Sequence, residues 1–239
     1  MSTLIYGRNT CLEVLKTDRK IYQGFVMERT NQDIIDYLKR HDIACQILNK
    51  HDFKKKFLGN HQGAILDVED YKTLELKPFL KSLDLKKNPF LVMLDQITDE
   101  HNLGAIIRTC EAGGVDGVII PKNRSAKITG TVAKTSSGAI EHVKVIEVTN
   151  LNNTLKTLKD NGFWSVGTDL KAKKSYQEIF VDTPLCLVIG SEGKGISKII
   201  REHVDYNVKI DMVGQINSLN ASVSAGILIF DILRKKLNG

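Results

Sequence analysis

Two short segments near the C-terminus constrain the fold of this chain more than any other feature. The first spans residues 187–195 (LVIGSEGKG), and the second spans residues 210–214 (IDMVG) and continues into residues 218–226 (SLNASVSAG). Each segment has the pattern of an apolar strand that ends in a loop of small residues and then enters a helix. We expect the two loops to lie side by side at the ends of neighbouring strands, where their backbone groups can enclose a nucleoside-sized ligand.

The size of the chain allows one large domain, or a small and a medium one. It has 239 residues, of which 42% are hydrophobic, enough to build a core without disulfides or metals. No apolar run reaches the length of a membrane span, and the N-terminus lacks a signal-peptide pattern. The cysteines have neither metal-ligand nor redox spacing, so we expect core thiols in a reducing cytoplasm. They are Cys11, Cys45, Cys110 and Cys186.

The charge balance is mildly basic, with a formal net charge of +6 and a pI of about 9.0. Such a balance suits a polyanionic partner but does not identify one. Basic side chains cluster at three places: Lys54–Lys56; Lys122, Arg124 and Lys127; and Lys171, Lys173 and Lys174. Each cluster is either a solvated surface or a patch that faces RNA, and the sequence leaves both interpretations open.

The pattern of apolar residues predicts two α/β domains. Residues 1–70 form a small α/β unit, and residues 71–88, which are rich in lysine and leucine and contain Pro78, form a linker. Residues 89–239 alternate short apolar strands with helices, which predicts a mostly parallel sheet with helices on both faces. The strands are expected at 90–95, 117–120, 143–148, 164–168, 185–190 and 206–210, and the helices at 103–113, 129–136, 151–161, 197–203 and 219–237.

A polar loop after the 90–95 strand contains the first candidate site residues. Asn102 occupies the position of a helix N-cap, and Arg108 follows in the second turn beside an apolar pair. The two residues could be a cap and a surface arginine. Alternatively, Arg108 could bind a phosphate from a helix near the carboxyl ends of the strands.

The two C-terminal loops contain the other candidates. The 190–195 loop matches neither the P-loop nor the dinucleotide-binding fingerprint, and a carboxylate at Glu192 within it suggests a partner arginine or a ligand. Beyond Gly214, small polar side chains are dense; an N-cap would explain Ser218 but not the whole row. The row consists of Ser218, Asn220, Ser222 and Ser224, with Ala221, Ala225 and Gly226 between them to allow close approach of another backbone.

Taken together, these three segments resemble the signature motifs of the SpoU (TrmH-like) RNA ribose methyltransferases, a branch of the SPOUT class. The resemblance covers the chain from about Phe90 to the C-terminus. Residues 1–70, which begin with Ile5-Tyr6-Gly7-Arg8-Asn9, resemble the ribosomal-protein-like RNA-binding domain of the rRNA-type members. Those members methylate a guanosine 2′-hydroxyl in large-subunit (23S) rRNA. One departure is Asp211, where the family usually has proline.

The resemblance implies a deep C-terminal trefoil knot, a rare exception to the rule against threaded chains. It implies S-adenosylmethionine as the cofactor, held bent in the knot loops, and a homodimer formed through the C-terminal domain that completes each active site. No metal, and no membrane, is expected.

The implied cofactor-binding residues are Gly190, Ile210, Leu219, Thr168 and Gly195. The implied catalytic residues are Asn102, Arg108, Glu192, Ser218 and Asn220. The candidates for RNA contact are Arg8, Asn9, Lys54, Lys55 and Lys56.

Three alternatives to an rRNA methyltransferase remain. The first is the same chemistry on tRNA, which the separate N-terminal domain disfavours. The second is a non-catalytic RNA-binding or ribosome assembly factor that kept the fold; the presence of Asn102, Arg108 and Asn220 disfavours it. The third is a nicotinamide-dependent oxidoreductase on an open sheet, which the missing dinucleotide fingerprint disfavours.

Overall fold

A computed structural model describes residues 2–215 and 218–238. Chain contacts divide it into two compact units. The first unit runs to residue 72 and also takes in residues 127–142. The second unit comprises residues 73–126 and continues from residue 143.

The first unit contains a four-stranded mixed sheet with strand order β1-β4-β2-β3. β4 pairs antiparallel with both β1 and β2, whereas β2 and β3 are parallel. The elements are β1 Ser2–Tyr6, α1 Arg8–Val14, β2 Ile21–Met27, α2 Gln32–Arg40, β3 Cys45–Leu48, α3 Lys50–Lys56 and β4 Ala64–Glu69. The sequence patterns predict helices near residues 9–16 and 31–40 and strands near residues 24–28, 44–48 and 63–68. These approximate α1, α2, β2, β3 and β4, whereas β1 and α3 are not predicted.

Residues 127–142 belong to the first unit although they follow the second strand of the second unit along the chain. A Cβ added at Gly130 would lie 2.2 Å from the carbonyl oxygen of Leu4, so the backbone of this segment lies directly against β1. The side chain of Glu141 is 3% exposed and forms an ion pair with Arg19. Burial raises the pKa of Glu141, and Arg19 opposes that shift. The sequence prediction, which assigns these residues to the 89–239 domain, does not anticipate this packing.

The second unit contains a seven-stranded sheet with strand order β7-β6-β5-β10-β8-β11-β9, and all six pairings are parallel. The strands are β5 Phe90–Asp95, β6 Gly117–Pro121, β7 Val145–Val148, β8 Trp164–Thr168, β9 Lys174–Ser175, β10 Leu185–Gly190 and β11 Tyr206–Lys209. The helices are α4 Leu76–Lys81, α5 Glu100–Ala112, α7 Leu151–Asp160, α8 Lys198–His203 and α9 Ala221–Asn238; the remaining helix of the chain, α6 Gly130–Thr135, lies in the first unit.

The strands of the parallel sheet are apolar at consecutive positions, and helices cover both faces of the sheet. Leu91 and Met93 of β5 point to the face that packs on α4, α7 and α8. Val92 and Leu94 alternate with them and are equally buried, on the face covered by α5 and α9. The predicted α/β class, with a mostly parallel sheet and helices on both faces, is therefore confirmed. The trefoil knot stays a prediction.

The residues expected to form a linker, 71–88, include α4 in this structure. Phe79 of α4 is buried in the core of the second unit, where its ring fills the space beside Gly117. A Cβ at Gly117 would lie 2.6 Å from that ring, so β6 and α4 are in direct contact. The proposed boundaries at residues 70 and 89 stay predictions.

The strand order corrects one expectation from the sequence. The two C-terminal loops do not follow neighbouring strands, because β8 lies between β10 and β11 and pairs with both. Consecutive strands usually lie next to each other, but a parallel connection can bring an earlier strand between them. The loop after β8 therefore lies between the two predicted loops and becomes a third wall of the site.

The structure contains no helix, among the residues it describes, that is long and apolar enough to cross a lipid bilayer.

Candidate functional site

A cavity of about 320 Å³ opens at the carboxyl ends of β8, β10 and β11. This is the edge of a parallel sheet at which α/β proteins bind ligands, and the volume is at the lower end of small-molecule sites. The walls come from the loop after β8, the loop after β10, and the segment between β11 and α9. The lining includes Thr168, Gly190, Gly195, Ile210, Ser218 and Leu219.

All five residues that the resemblance assigns to the cofactor therefore line one cavity. Ser218, which it assigns to catalysis, lines the same cavity. The sequence places these residues in three segments that are separated by up to about fifty positions. That these five residues bind a cofactor stays a proposal.

The loop after β10 folds back tightly on the end of its own strand. A Cβ at Gly190 would lie 2.0 Å from the carbonyl carbon of Gly195 and 2.1 Å from the backbone nitrogen of Ile196. Only glycine fits at this position, because any side chain would occupy the volume of the loop backbone. Gly193 and Gly195 have φ values of +75° and +65°, which also favour glycine. Backbone groups consequently form this wall of the cavity.

Asn220 connects the predicted catalytic residues. Its Oδ1 accepts hydrogen bonds from the N–H of Ser222 at 2.9 Å and from the Ser222 hydroxyl at 2.6 Å, so Asn220 caps the start of α9. Its Nδ2 is then the donor, and it donates to Asn102 Oδ1 at 3.0 Å and to Glu192 Oε2 at 3.2 Å. Three segments that are remote in sequence thus meet at one amide.

Two helix starts differ from the sequence prediction. α5 begins earlier than expected, and its N-cap is Asp99, whose carboxylate accepts from the N–H of His101 at 2.9 Å. Asn102 lies in the first turn, where its side chain is available to Asn220. Similarly, Asn220 rather than Ser218 caps α9. In both cases two polar residues near the helix start can each serve as the N-cap, and the sequence alone does not decide which of them does.

Arg108 lies on an exposed turn of α5. It follows Asn102 by six positions, which places it about 240° further around the helix axis. The structure therefore joins Asn102, Glu192 and Asn220 by hydrogen bonds, and Arg108 is exposed on the same helix as Asn102. A guanidinium in this setting can reach a phosphate of a bound polyanion.

The sequence prediction misses the charged rim of the cavity. Asp169 and Arg201 both line it, and their charged groups are 3.6 Å apart. Lys171 and Lys209 line it as well. From the sequence, Lys171 is expected only to be part of a basic cluster, and Lys209 is not singled out. Arg201 comes from α8, and nothing in the local sequence signals that this helix directs a side chain to the site.

The departure from the family pattern at Asp211 has a structural counterpart. The carboxylate of Asp211 lies 3.2 Å from Lys209 Nζ. The nearby Ser175 side chain and the Lys209 ammonium hold the pKa of Asp211 below its usual range. An exposed ion pair with Lys209 thus stands where the family usually has a proline.

In the first unit, the candidates for RNA contact occupy two places. Arg8 forms a bidentate ion pair with Asp33, with distances of 2.8 and 2.7 Å, and also donates to Asn31 Oδ1 at 3.0 Å. The pair holds the pKa of Asp33 below its usual range. Asn9 beside Arg8 is exposed. A planar guanidinium held by a carboxylate in this way has the geometry that also fits phosphate.

The lysine cluster at 54–56 forms the last turn of α3, and all three side chains are exposed. Lys56 Nζ lies 4.4 Å from the centroid of the Phe25 ring and donates to Gln46 Oε1 at 2.8 Å. Consecutive residues on a helix point in directions about 100° apart, so the three ammonium groups spread over a broad surface.

The part of the chain described here contains no group of three or more histidine, cysteine, aspartate or glutamate side chains that could hold a metal ion. Cys11, Cys110 and Cys186 are buried, and burial raises the pKa of each thiol, to about 12 for Cys11 and Cys186. None of these three thiols has the exposure or the low pKa of a reactive cysteine.

Two family models match the chain. The model described as "SpoU rRNA Methylase family" matches residues 89–230. The model described as "RNA 2'-O ribose methyltransferase substrate binding" matches residues 4–74. A Bacillus subtilis (strain 168) protein named "Putative TrmH family tRNA/rRNA methyltransferase YacO" is 41% identical over 237 residues, covering 97% of this chain and 95% of that protein.

Solved structures share the fold. The SpoU methyltransferase AviRb from Streptomyces viridochromogenes, in complex with AdoMet, has a TM-score of 0.85 at 20% identity and covers all of this chain and 92% of that one. An AdoMet-bound rRNA methyltransferase from Sinorhizobium meliloti has a TM-score of 0.82 at 20% identity, with coverages of 98% and 87%. The TrmH/SpoU tRNA modifying enzyme of A. aeolicus has a TM-score of 0.58 at 31% identity, with coverages of 68% and 83%.

The glycine at position 190 provides a test of the cavity. We expect Gly190→Ala to weaken S-adenosylmethionine binding by at least about tenfold, because the added methyl must displace the loop backbone that forms the wall. Gly226→Ala is the matched control. Gly226 lies in α9, and within one chain a Cβ there meets nothing within 4 Å. Titration calorimetry of both variants would measure the two dissociation constants; unchanged binding in Gly190→Ala would contradict this account of the wall.

Proposed function

Since this chain belongs to the SpoU rRNA methylase family and is an S-adenosylmethionine-dependent RNA 2′-O-methyltransferase, we propose that its target is a guanosine in large-subunit rRNA. The observation that carries the proposal is the first unit. The substrate-binding model matches residues 4–74. The rRNA methyltransferase from Sinorhizobium meliloti spans 98% of the chain, whereas the tRNA modifying enzyme of A. aeolicus spans 68%.

The cavity fits S-adenosylmethionine in two respects. Its glycine-lined wall offers backbone N–H and C=O groups at close range, which suits the hydrogen-bonding edge of an adenine and the hydroxyls of a ribose. Its rim carries both signs of charge, in Asp169 and Arg201 as well as Lys171 and Lys209, which suits the amino acid portion of the cofactor. We propose that Gly190, Ile210, Leu219, Thr168 and Gly195 hold the cofactor.

The bound cofactor supplies an activated methyl group on a positively charged sulfur. Its methyl group would pass to the ribose 2′-oxygen as the carbon–sulfur bond breaks, and the leaving thioether would be neutral. The leaving group needs no acid, so the protein's task is to position the 2′-hydroxyl and to help its proton leave. At neutral pH a ribose hydroxyl is almost entirely protonated, so removal of this proton is the difficult part of the reaction.

We propose that Arg108 binds a phosphate next to the target ribose, and that this phosphate helps to accept the hydroxyl proton. An arginine with its ordinary pKa is a poor base, whereas its guanidinium is well suited to hold a phosphate in a fixed orientation. The exposure of Arg108 on α5 supports this role, because a phosphate of a bound RNA can approach it. Ser218, Asn102, Glu192 and Asn220 would position the ribose and the loops, since the last three are joined by hydrogen bonds.

The first unit is proposed to select the RNA. Arg8 would exchange the carboxylate of Asp33 for an RNA phosphate, which presents the same pair of acceptor oxygens. Asn9 and the lysines at 54–56 are exposed and would add contacts to the backbone of the RNA. With rRNA as the proposed substrate, we propose a cytoplasmic location.

A second copy of the chain is the proposed partner of the second unit. Three apolar side chains on α9 are 49%, 48% and 76% exposed: Val223, Phe230 and Leu237. Their spacing of seven residues places them on one line along the helix. The residues that pack toward the core lie on the opposite side: Ala225, Leu228, Ile229 and Ile232. A helix with apolar residues on two opposite faces buries the second face when two copies associate.

Methylation of tRNA is the second candidate, because the A. aeolicus tRNA modifying enzyme is 31% identical over its matched part. A methyl-transfer assay separates the two candidates. With labelled S-adenosylmethionine and unmodified large-subunit rRNA, we expect label in 2′-O-methylguanosine after nuclease digestion. Bulk tRNA tested in parallel should stay unlabelled. Label in tRNA alone would overturn the rRNA proposal and keep the chemistry.

Replacement of Arg108 tests the mechanism. Arg108→Ala is expected to lower turnover at least about 100-fold, because the phosphate that accepts the proton is no longer held. Binding of S-adenosylmethionine should be unchanged, since the residue lies outside the cavity lining. Arg40→Ala, which removes an arginine from α2 in the first unit, serves as the control and should retain turnover. Turnover of Arg108→Ala close to that of the wild type would exclude this role.

Light scattering tests the dimer. The wild-type chain should give twice its mass of 26.7 kDa. Phe230→Lys should shift the mass toward that of one chain, because a charge would be buried on the apolar line. Phe180→Lys is the matched control: Phe180 is 56% exposed but lies outside α9, so its replacement should leave the dimer intact. A monomeric wild type would refute the proposed association.

A further inference from the structure

One buried carboxylate in the second unit belongs to neither the proposed cofactor set nor the proposed catalytic set. Asp95 is the last residue of β5 and only 5% exposed. Its neighbour in the sheet register is Gly190, the last residue of β10. Asp95 therefore lies at the carboxyl edge of the sheet, directly beside the start of the glycine loop that forms the cavity wall.

The carboxylate reaches the far end of that loop. Asp95 Oδ2 accepts a hydrogen bond from the N–H of Ser197 at 2.7 Å. Ser197 is the N-cap of α8, but its own side chain makes no capping bond. The short distance is that of a charge-assisted hydrogen bond, which is stronger than a bond between neutral groups.

Between its two ends, the loop is bonded mainly to itself. Ser191 and Gly195 exchange two backbone hydrogen bonds, at 3.1 and 2.9 Å, and Lys194 N–H donates to the carbonyl of Glu192. These bonds fix the shape of the turn but not its position over the sheet. Its position depends on the end of β10 on one side and on the contact of Glu192 with Asn220 in the middle. On the other side it depends on the buried side chain of Ile196 and the bond from Ser197 to Asp95.

We propose that Asp95 is a positioning residue that holds the 191–197 loop in the conformation that binds S-adenosylmethionine. This inference rests on the proposed cofactor role of the cavity. Asp95 is not among the residues that line the cavity, so it acts through the loop. The same loop carries Glu192 to Asn220, and its displacement would disturb both the cavity wall and that contact.

The chain contains a matched control for a purely structural role. Asp205 also accepts a hydrogen bond from a backbone N–H, but at the opposite edge of the sheet, near the start of β8. Its Oδ2 accepts from the N–H of Ser165 at 2.8 Å and from the Ser165 hydroxyl at 2.7 Å. Its loss should lower stability, as the loss of Asp95 would, but its bonds lie near the start of β8 and it does not line the cavity.

The test compares three variants of the full chain by three measurements, one of which is the midpoint of thermal unfolding. Titration calorimetry gives the dissociation constant for S-adenosylmethionine, and hydrogen–deuterium exchange of the unliganded protein gives the protection of amides 191–198. For Asp95→Ala we expect binding weaker by about tenfold or more, and exchange in this segment faster by a similar factor. Asp95→Asn, which keeps an acceptor oxygen, should stay within about threefold of the wild type in binding and in exchange. For Asp205→Ala, the unfolding midpoint should fall, while binding and exchange stay within about twofold.

Wild-type binding and protection in Asp95→Ala would overturn the inference. Equal weakening of binding in Asp95→Ala and Asp205→Ala would also overturn it, because the effect would then be one of stability alone. If the wild type itself bound no S-adenosylmethionine, the proposed role of the cavity would be wrong. The inference that Asp95 supports cofactor binding would then be wrong as well. Exchange at the Ser197 amide would still decide whether Asp95 holds the loop.

Discussion

The close approach of backbone to backbone at Gly190 is the constraint on which the rest of the site depends. A Cβ at this position would lie within 2.0–2.2 Å of the Gly195 and Ile196 backbone, so the loop after β10 can lie flat on the strand end only with glycine here. That arrangement forms one wall of the cavity and directs Glu192 toward Asn220. The bond from Ser197 to Asp95 closes the loop at its other end.

Asn220 links the start of α9 to two other segments, and its amide has a fixed orientation. Because Oδ1 is occupied by Ser222, Nδ2 must face Asn102 and Glu192. A helix cap thus also orients side chains at the site. Through this amide the 191–197 loop is hydrogen-bonded to α5, the helix that carries Arg108.

The first unit has its own compact core and its own charged surface. The bidentate pair with Asp33 holds the guanidinium of Arg8 in one orientation, so the phosphate in the proposed RNA contact would meet an ordered side chain. An ordered side chain loses less conformational entropy on binding. Within the same unit, residues 127–142 pack against β1, and the buried pair of Arg19 with Glu141 ties this segment down. The unit is therefore built from two separate stretches of sequence.

The sequence by itself determined the α/β class, the parallel sheet, most strand positions in the second unit, and the small-residue loops, because these follow from apolar periodicity and glycine placement over short distances. It also indicated which residues to examine, although the resemblance supplied their roles. Only the tertiary structure decided that β8 lies between β10 and β11, that Asp99 rather than Asn102 caps α5, that residues 127–142 pack with the first unit, and that Asp95 reaches Ser197. Strand order and such contacts depend on the packing of segments up to about a hundred positions apart, and no local pattern records which partner each segment meets.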